Sequence, residues 1–436
     1  MVALVLRSVR GRPGRFTATL LSAFLGAAII MTFNSMHDTA GRPGVDAVSA
    51  ESLSTAASVV GGYGSLLVFF AVASTLTVSV RQRSAEIELL RCSGATPAQI
   101  KRMVVGESVV VALAGAAAAI GPAVLGGRAL LNVFQDSGQV ERSVAYSFGP
   151  VALMSGIGIT VLASAGAGFL AVRRATRGRR PRGGARKFFA YGALAFGVAV
   201  VCSTFAFSAR DAALMAPPAY GAILLSVGCA LLSPRLLEGL LDRLPLSGPS
   251  GYLAVRNMRR RADELAGVLM PLILFTCMAT ATLCMQAVEN DAIDASGVPK
   301  SIDAKALETL NVVVVGIVVV FSCVMLVNSL YAATTYRGGE FGRQRLAGAT
   351  PGQVLAMIGT EGVILTVTGV LFGTVAALAG ILPFTMVRTD RAWPGEGLGI
   401  WLSVVAVAAA VTLGTSLLTA RHALRTPAVA AVAAVA

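Results

Sequence analysis

Ten long apolar segments constrain this chain more than any other feature of its sequence. They lie roughly at 16–33, 59–80, 105–131, 147–172, 188–208, 217–233, 265–286, 309–335, 355–386 and 398–419. Each has 17 residues or more, enough to cross a hydrocarbon layer of ~30 Å at a helical rise of ~1.5 Å per residue. Only 13% of the 436 residues are charged, which is about half of the share found in soluble domains. The sequence therefore predicts an all-α integral membrane protein with about ten transmembrane helices.

The basic residues are divided unevenly between the two sides that ten spans define. Of the 36 Lys and Arg, 28 fall on one side, in segments 1–15, 81–104, 173–187, 234–264, 336–354 and 420–436. Because cytoplasmic segments are enriched in Lys and Arg, we expect a multi-pass protein of the cell membrane with both termini in the cytoplasm. The same rule accounts for the net charge of +14, so we expect no nucleic-acid partner. The basic run 173–187 is expected to lie near anionic membrane lipid.

The segments on the other side of the membrane are short. The two longest, 34–58 and 287–308, have 25 and 22 residues. We therefore expect both of them to be extracytoplasmic loops, and we expect no large extracytoplasmic domain.

The chain has few residues of the kinds that form catalytic or metal sites. It contains two histidines and six cysteines, without an HExxH pattern or the spacing of metal ligands. No phosphate-binding loop of the form G-x-x-x-x-G-K-[ST] occurs in the sequence. We expect no catalytic residue, metal site or cofactor in this chain. If ATP drives its function, another chain must bind the nucleotide.

A 25-residue stretch occurs twice, at a separation of 254 residues. The first copy is "RSAEIELLRCSGATPAQIKRMVVGE" and the second is "RGGEFGRQRLAGATPGQVLAMIGTE". The identical pairs include Arg83 and Arg337, Glu86 and Glu340, Arg91 and Arg345, Gly94 and Gly348, Ala95 and Ala349, Thr96 and Thr350, Pro97 and Pro351, Gln99 and Gln353, and Glu107 and Glu361. Each copy follows one predicted span and precedes another, so the repeat is parallel. The predicted domains are a four-span unit with its basic linker at 1–187, two central spans at 188–250, and a second four-span unit at 251–436.

Each copy of the repeat encodes a sharp turn between two helices. Gly94 can adopt a positive φ and end the incoming helix. Thr96 is a favourable N-cap and Pro97 suits the first helical position. Gln99 lies three residues after Thr96 and completes a capping box. The second copy repeats these signals with Gly348, Thr350, Pro351 and Gln353, so two helix–turn–helix corners are predicted on the cytoplasmic face.

The charged residues of the repeat have two interpretations each. Glu86 and Arg91 on the incoming helix form either a solvated face or, as their repetition favours, a docking surface. Glu107 and Glu361 lie a turn or two into the third and ninth spans, where a carboxylate costs up to ~2.5–3.5 kcal/mol at a helix centre. Each is either the buried partner of a cytoplasmic Arg that transmits motion, or a carboxylate stabilised by the positive end of a helix.

The repeated residues resemble the FtsX-like permease family, the membrane subunits of MacB/Lol-type ABC transporters. The family's mark is an E-x-x-x-x-R-x-x-G-A segment between the second and third spans of a four-span unit. Here the matching residues are Glu86, Arg91, Gly94 and Ala95, then Glu340, Arg345, Gly348 and Ala349. The resemblance implies two parallel FtsX-like four-helix repeats joined by a two-helix linker. It also implies that both corners contact a separate ABC ATPase subunit, present in two copies, which binds ATP and Mg²⁺.

The expected function is that of the transmembrane permease subunit of an ABC transporter. It would export or extract an amphipathic lipid, peptide or antibiotic with ATP hydrolysed by the partner. The alternative is a mechanotransmission or signalling module that relays ATPase motion across the membrane without net transport. The short outer segments offer such a module little surface for an outside partner. A scaffold without an ATPase would leave the repeated corner unexplained.

Overall fold

The computed structural model describes residues 17–54, 57–58, 92–136, 138–176, 183–209, 214–243, 249–295, 337–391, 393–395 and 397–429, with isolated positions at 89 and between 316 and 334. The α-helices within these ranges are α1 (Thr17–Ala40), α2 (Pro97–Asp136), α3 (Pro150–Thr176), α4 (Gly183–Cys202), α5 (Ala216–Leu241), α6 (Pro249–Arg260), α7 (Ala262–Ala295), α8 (Gly338–Leu346), α9 (Pro351–Thr389) and α10 (Gly397–Leu424). A single 3₁₀ turn, Ser203–Ala206, follows α4. No strand occurs in these ranges, which confirms the predicted all-α class.

Eight of the described helices are long and apolar enough to cross a membrane, namely α1 to α5, α7, α9 and α10. They coincide with eight of the ten predicted spans. The predicted spans at 59–80 and 309–335 lie outside the described residues, apart from isolated positions of the second. The apolar segments thus identify the membrane helices wherever the structure describes the chain.

The predicted outer loops are wrong at their beginnings, because two spans continue as helices past their apolar segments. α1 runs to Ala40 and α7 to Ala295, and residues 47–54 of the first predicted loop are also helical. The polar side chains that follow the apolar segment of α1 find hydrogen-bond acceptors within the same helix. The Thr39 hydroxyl donates to the carbonyl of Ser35 at 2.8 Å and the Asn34 amide to that of Ile30 at 2.9 Å.

The first compact unit contains α1, α2 and α3, each of which packs against the other two. Its outer end is closed by a core of Phe33, Met36, Leu53, Leu130 and Phe134. Asp38 at the end of α1 caps α3, since its carboxylate accepts from the backbone N–H groups of Val151 at 3.1 Å and Ala152 at 2.8 Å. These contacts close this end of the unit with a small packed cluster outside the apolar region.

The second compact unit contains α4 to α10, with α7 at its centre. α7 contacts α5, α9 and α10, and its residues Leu269, Ile273 and Cys277 are fully enclosed. The two central spans, α4 and α5, pack within this unit, where α5 also contacts α9. At the outer end, Arg388 of α9 binds Glu289 of α7 through two hydrogen bonds of 2.7 and 2.8 Å.

The repeat extends from the corners into the packing of the spans. Gly115 in α2 and Gly369 in α9 are separated by the same 254 residues, and each lies against the first helix of its own unit. A Cβ on Gly115 would lie 3.0 Å from the backbone nitrogen of Phe24. One on Gly369 would lie 2.4 Å from the side chain of Leu272. Both glycines therefore permit the close helix contact that small residues give in membranes.

Candidate coupling site at the helix corners

The second corner begins where α8 ends in a Schellman motif. Gly348 has a φ of +99°, a conformation that glycine adopts without steric cost. Its N–H donates to the carbonyl of Arg345 at 3.1 Å, and the N–H of Ala349 donates to that of Gln344 at 3.0 Å. These two bonds satisfy carbonyls that the end of a helix leaves free. The glycine therefore sets the direction in which the chain leaves α8.

A capping box starts the next helix at each corner. The Thr350 hydroxyl accepts from the N–H of Gln353 at 3.3 Å, and the Gln353 side chain accepts from the N–H of Thr350 at 2.9 Å. Thr96 and Gln99 form the same two bonds at the same distances. Gly94 precedes them with a φ of +91°. The predicted turn is thus confirmed in both copies, down to the residues that end one helix and begin the next.

The tip of each corner is exposed, while its alanine faces inward. At the second corner the exposed residues include Leu346, Gly348, Thr350, Pro351 and Gln353, and at the first they include Cys92, Gly94, Thr96 and Gln99. Ala95 packs against Ile100 and Val104, and Ala349 packs into a cluster that contains Phe341 and Val354. Each corner is therefore fixed to its own helix and leaves its polar tip open to contact.

The incoming segment of the second corner is a separate helix of nine residues, α8. The chain turns at Arg337, whose φ and ψ are −88° and 2°, before α8 begins. The prediction of one helix continuing from the preceding span is therefore wrong for this copy. Glu86 and Arg91, on the corresponding segment of the first copy, lie outside the described residues.

Arg337 forms a buried ion pair with Glu361, which lies in α9. Both residues are almost enclosed, with 8% and 7% of their surfaces exposed. The guanidinium Nη2 donates to Oε1 of Glu361 at 2.9 Å, and Nη1 donates to Oε2. Paired parallel bonds of this kind are the strongest that arginine makes with a carboxylate. Glu361 therefore has a buried Arg partner, as one of its two interpretations expects, and the transmission of motion through this pair stays a prediction.

A second carboxylate, Glu340 on α8, completes the cluster around Arg337. The guanidinium Nε donates to Glu340 Oε2 at 3.0 Å. Burial by itself lowers the pKa of Arg337, but the hydrogen bonds and charges of Glu361 and Glu340 outweigh it and raise this pKa above the usual range. The guanidinium consequently stays charged.

Glu340 also connects the corner to the segment that precedes α7. The Asn257 amide of α6 donates to Glu340 Oε1 at 3.1 Å, and the Arg261 guanidinium lies 3.5 Å from Oε2. Glu340 is therefore half-buried among residues of its own chain. Its role in the structure is to join α8 to α6, and its carboxylate does not project from the corner.

Arg345 likewise bonds within the chain. Its Nη1 donates to the carbonyls of Leu424 at 3.2 Å and Thr426 at 2.8 Å, at the end of α10. A positive side chain is favourable at this position because the end of a helix carries partial negative charge. Arg345 thus holds the last span against α8. The predicted docking residues of this corner that are exposed are Gly348, Thr350, Pro351 and Gln353. Leu346, which was not predicted, is exposed beside them, and residues 346–353 are called the tip of the second corner below.

Three residues of the cluster were not among the predicted site residues: Arg337, Asn257 and Arg261. Arg337 had a sequence signal, because it and Arg83 begin the two copies of the repeat. Asn257 and Arg261 had none, since their contact with Glu340 spans about 80 residues of sequence, as tertiary contacts do. In the first unit Glu107 is 2% exposed, as enclosed as its counterpart Glu361. The matching Arg83 lies outside the described residues.

Comparison with known families places both corners inside one domain type. The FtsX-like permease C-terminal domain matches residues 58–178 and 312–428. The two matched segments begin 254 residues apart, the separation of the repeat, and together they cover more than half of the chain. No curated protein matches the sequence. The chain therefore belongs to the FtsX-like permease family and is a multi-pass membrane subunit of the ABC transporter type, a subunit that generally pairs with a separate ATPase and is not itself that ATPase.

Proposed function

We propose that this chain is the permease subunit of an ABC exporter of the MacB/Lol type. A separate ATPase binds the two corners, and its motion drives export or extraction of an amphipathic lipid, peptide or antibiotic. The observation that carries the proposal is the connection between an exposed tip and a buried span. At the second corner the tip follows directly from α8, and α8 is tied to α9 through Arg337 and Glu361.

The tip has the properties of a small docking surface. It is rigid, because a Schellman motif ends one helix and a capping box starts the next. It presents one large apolar side chain, Leu346, with 57% of its surface exposed, and the polar groups of Thr350 and Gln353. A buried apolar centre with a polar rim is the usual anatomy of a protein interface. The first corner repeats the backbone geometry, so one ATPase subunit would bind at each corner, giving two per chain.

The charged cluster supports transmission of motion from the tip. A displaced α8 moves Arg337, whose bonds with Glu361 act directly on α9. The bonds from Glu340 to Asn257 act on α6, which precedes α7 by one residue. Because leaving one buried charge unpaired costs ~3–5 kcal/mol, the pair is expected to move as one body. Two spans of the second unit would thus respond to one docked subunit.

The sidedness of the proposal rests on charge. The corners and both termini lie on the side that holds 28 of the 36 basic residues, which is the cytoplasmic side by the positive-inside rule. ATP is cytoplasmic, so an ATPase reaches the corners only from that side. The alternative module, which relays motion without net transport, would use the same corners, and a substrate assay separates it from an exporter.

A paired substitution tests whether the tip binds the ATPase. Leu346→Asp places a charge at the apolar centre of the tip. Val48→Asp is the matched control, because Val48 is an exposed apolar residue in the helical segment 47–54 of the first unit and belongs to neither corner. The full chain is purified from its native membrane, and co-purified proteins that carry a phosphate-binding loop are quantified by mass spectrometry.

The proposal predicts that Leu346→Asp removes the ATPase subunit bound at the second corner and leaves the one at the first corner, while Val48→Asp retains both. The melting temperature of each purified variant should match that of the wild-type chain, because both side chains are exposed. Native mass spectrometry of the wild-type complex should give one copy of this chain with two ATPase subunits. Equal recovery of the ATPase with both variants would contradict the proposal.

A further inference from the structure

α6 is an amphipathic helix that lies where the second unit meets the membrane surface. Its inner face is closed: Ala254 is fully buried against Phe341 and Met357, and Met258 is almost as enclosed. Val354 and Met357 belong to the first two turns of α9, a membrane span. α6 is therefore held at the level where that span begins.

The outer face of α6 combines aromatic and positively charged side chains. Tyr252, Arg256 and Arg260 are exposed and follow one another at intervals of four residues, so they form one stripe. Arg256 donates to the Tyr252 hydroxyl at 3.4 Å. Among the described residues, neither Arg256 nor Arg260 has an acidic partner. Arg259 differs, because it bonds Asp242 at 2.8 Å.

The beginning of α4 carries a second group of exposed aromatic and positively charged side chains. Phe188 and Phe189 have 76% and 68% of their surfaces exposed, and Lys187 beside them is exposed too. Arg186 lies 3.5 Å from Asp263, the second residue of α7. Because α7 begins directly after α6, this ion pair places Arg186, near the start of α4, beside the residues that join α6 to α7. The surface formed by Lys187, Phe188, Phe189, Tyr252, Arg256 and Arg260 is called the α4–α6 surface below.

We propose that the α4–α6 surface binds the headgroup of an anionic phospholipid in the leaflet on the side of the corners. Aromatic rings and basic side chains are the residues that proteins place at the membrane–water boundary. Two unpaired guanidinium groups four residues apart can share one phosphate, since arginine binds phosphate through paired bonds. The rings of Phe188, Phe189 and Tyr252 would contact the adjoining acyl chains.

A lipid fits this surface better than the docked ATPase does. Phe188 and Phe189 start a membrane span of mean hydropathy 1.9, so their exposed rings face the bilayer and not the aqueous phase. The corner tip, in contrast, combines one leucine with small and polar residues. The side chains proposed to bind the lipid lie outside both corners, although α6 itself contacts the second corner through Asn257 and Glu340, so the lipid is measured by an assay that does not require the ATPase.

Competition between two lipids tests the proposal on the full chain. The protein in a mild nonionic detergent is mixed with equal amounts of phosphatidylglycerol and phosphatidylcholine that carry the same acyl chains. Native mass spectrometry then gives the ratio of the two lipids retained. We expect phosphatidylglycerol to be enriched, and R256Q/R260Q to reduce the enrichment by roughly fivefold or more, since each basic residue near an anionic surface contributes about that factor.

Two further variants make the result specific. R142Q/R391Q removes two exposed arginines that belong to neither α4 nor α6, and should leave the enrichment unchanged. R256K/R260K keeps the positive charge and should retain most of the enrichment of phosphatidylglycerol. The melting temperature in lipid-free detergent should be the same for all variants.

Equal retention of both lipids by the wild-type chain would overturn the proposal, as would an equal loss of enrichment in R142Q/R391Q. If R256Q/R260Q keeps its phosphatidylglycerol and instead loses the co-purified ATPase, the surface is a protein-docking site and the lipid proposal is wrong.

Discussion

Arg337 and Glu361 face each other across the boundary between the second helix corner and a membrane span. They are 24 residues apart in sequence and joined by two hydrogen bonds in a nearly closed environment. An ion pair in this position connects a surface element to the transmembrane bundle directly, without an intervening loop. In the proposed function, motion of the second corner reaches α9 through this pair of residues.

Substitutions of Arg337 and Glu361 should have coupled effects on stability. Removing Arg337 leaves Glu361 as a buried charge without its counter-charge, whereas removing Glu361 leaves Arg337 paired with Glu340, so R337M should destabilise the folded chain by ~3–5 kcal/mol and E361M by less. The double variant R337M/E361M should cost less than the sum of the two single changes, because it leaves neither charge behind. Thermal unfolding of the detergent-purified variants measures this coupling. Additive losses would show that the two side chains are energetically independent.

Glu340→Lys should act through the fold and not through the docking surface. The new ammonium group would lie beside Arg337 and Arg261, the present partners of Glu340, where like charges repel. We expect a lower melting temperature and a loss of coupled ATPase activity. Glu340→Gln should be milder, since it still accepts from Asn257. If Glu340→Lys melts like the wild type and only loses the ATPase, the carboxylate belongs to the docking surface after all.

The capping threonines offer a local test of the corners. Thr96→Ala and Thr350→Ala each remove one side-chain acceptor at the start of a helix, which costs ~1 kcal/mol of helix stability. We expect faster amide hydrogen exchange at the first turns of α2 and α9 and a weaker association with the ATPase. Serine at the same positions keeps the acceptor and should restore both properties. Unchanged exchange in the alanine variants would mean that the caps do not fix the corners.

The sequence predicts the spans and corners because their signals are local. An apolar run specifies a membrane helix, and the order Gly, Thr, Pro and Gln specifies where one helix ends and another begins. The ends of α1 and α7 could not be predicted from hydropathy, since these helices continue through polar residues such as Asn34 and Thr39, whose side chains bond carbonyls of the preceding turn. The turn at Arg337 has a weaker local signal, the pair Gly338 and Gly339 that follows it.

The contacts of Glu340 and Arg345 could not be predicted from the sequence, for a different reason. Both residues match a repeat that marks the corner, so a surface role was the natural expectation. Their partners, Asn257 of α6 and the end of α10, come from distant parts of the chain. The repeat identifies which residues recur, and tertiary packing decides which of them face inward.

The first unit should contain the counterpart of the Arg337–Glu361 pair. Glu107 is enclosed like Glu361, and the separation of 254 residues pairs it with Arg83. We expect a double-mutant cycle on Arg83 and Glu107 to show a coupling of more than ~1 kcal/mol. Arg81, two residues earlier, is the control and should show none. A coupling of Glu107 to Arg81 and not to Arg83 would break the correspondence between the two units.

Site-specific cross-linking from the two corners is the most direct test of whether they bind the ATPase. A photoreactive residue is introduced at Gln99 or Gln353, whose side chains lie at the exposed tips, and at Val48 as the control. After irradiation of intact cells, the proposed function predicts that both corner positions form a product with a protein carrying a phosphate-binding loop, and that Val48 forms none. If the ATPase co-purifies with the chain but neither Gln99 nor Gln353 cross-links to it, the corners are turns and not docking sites.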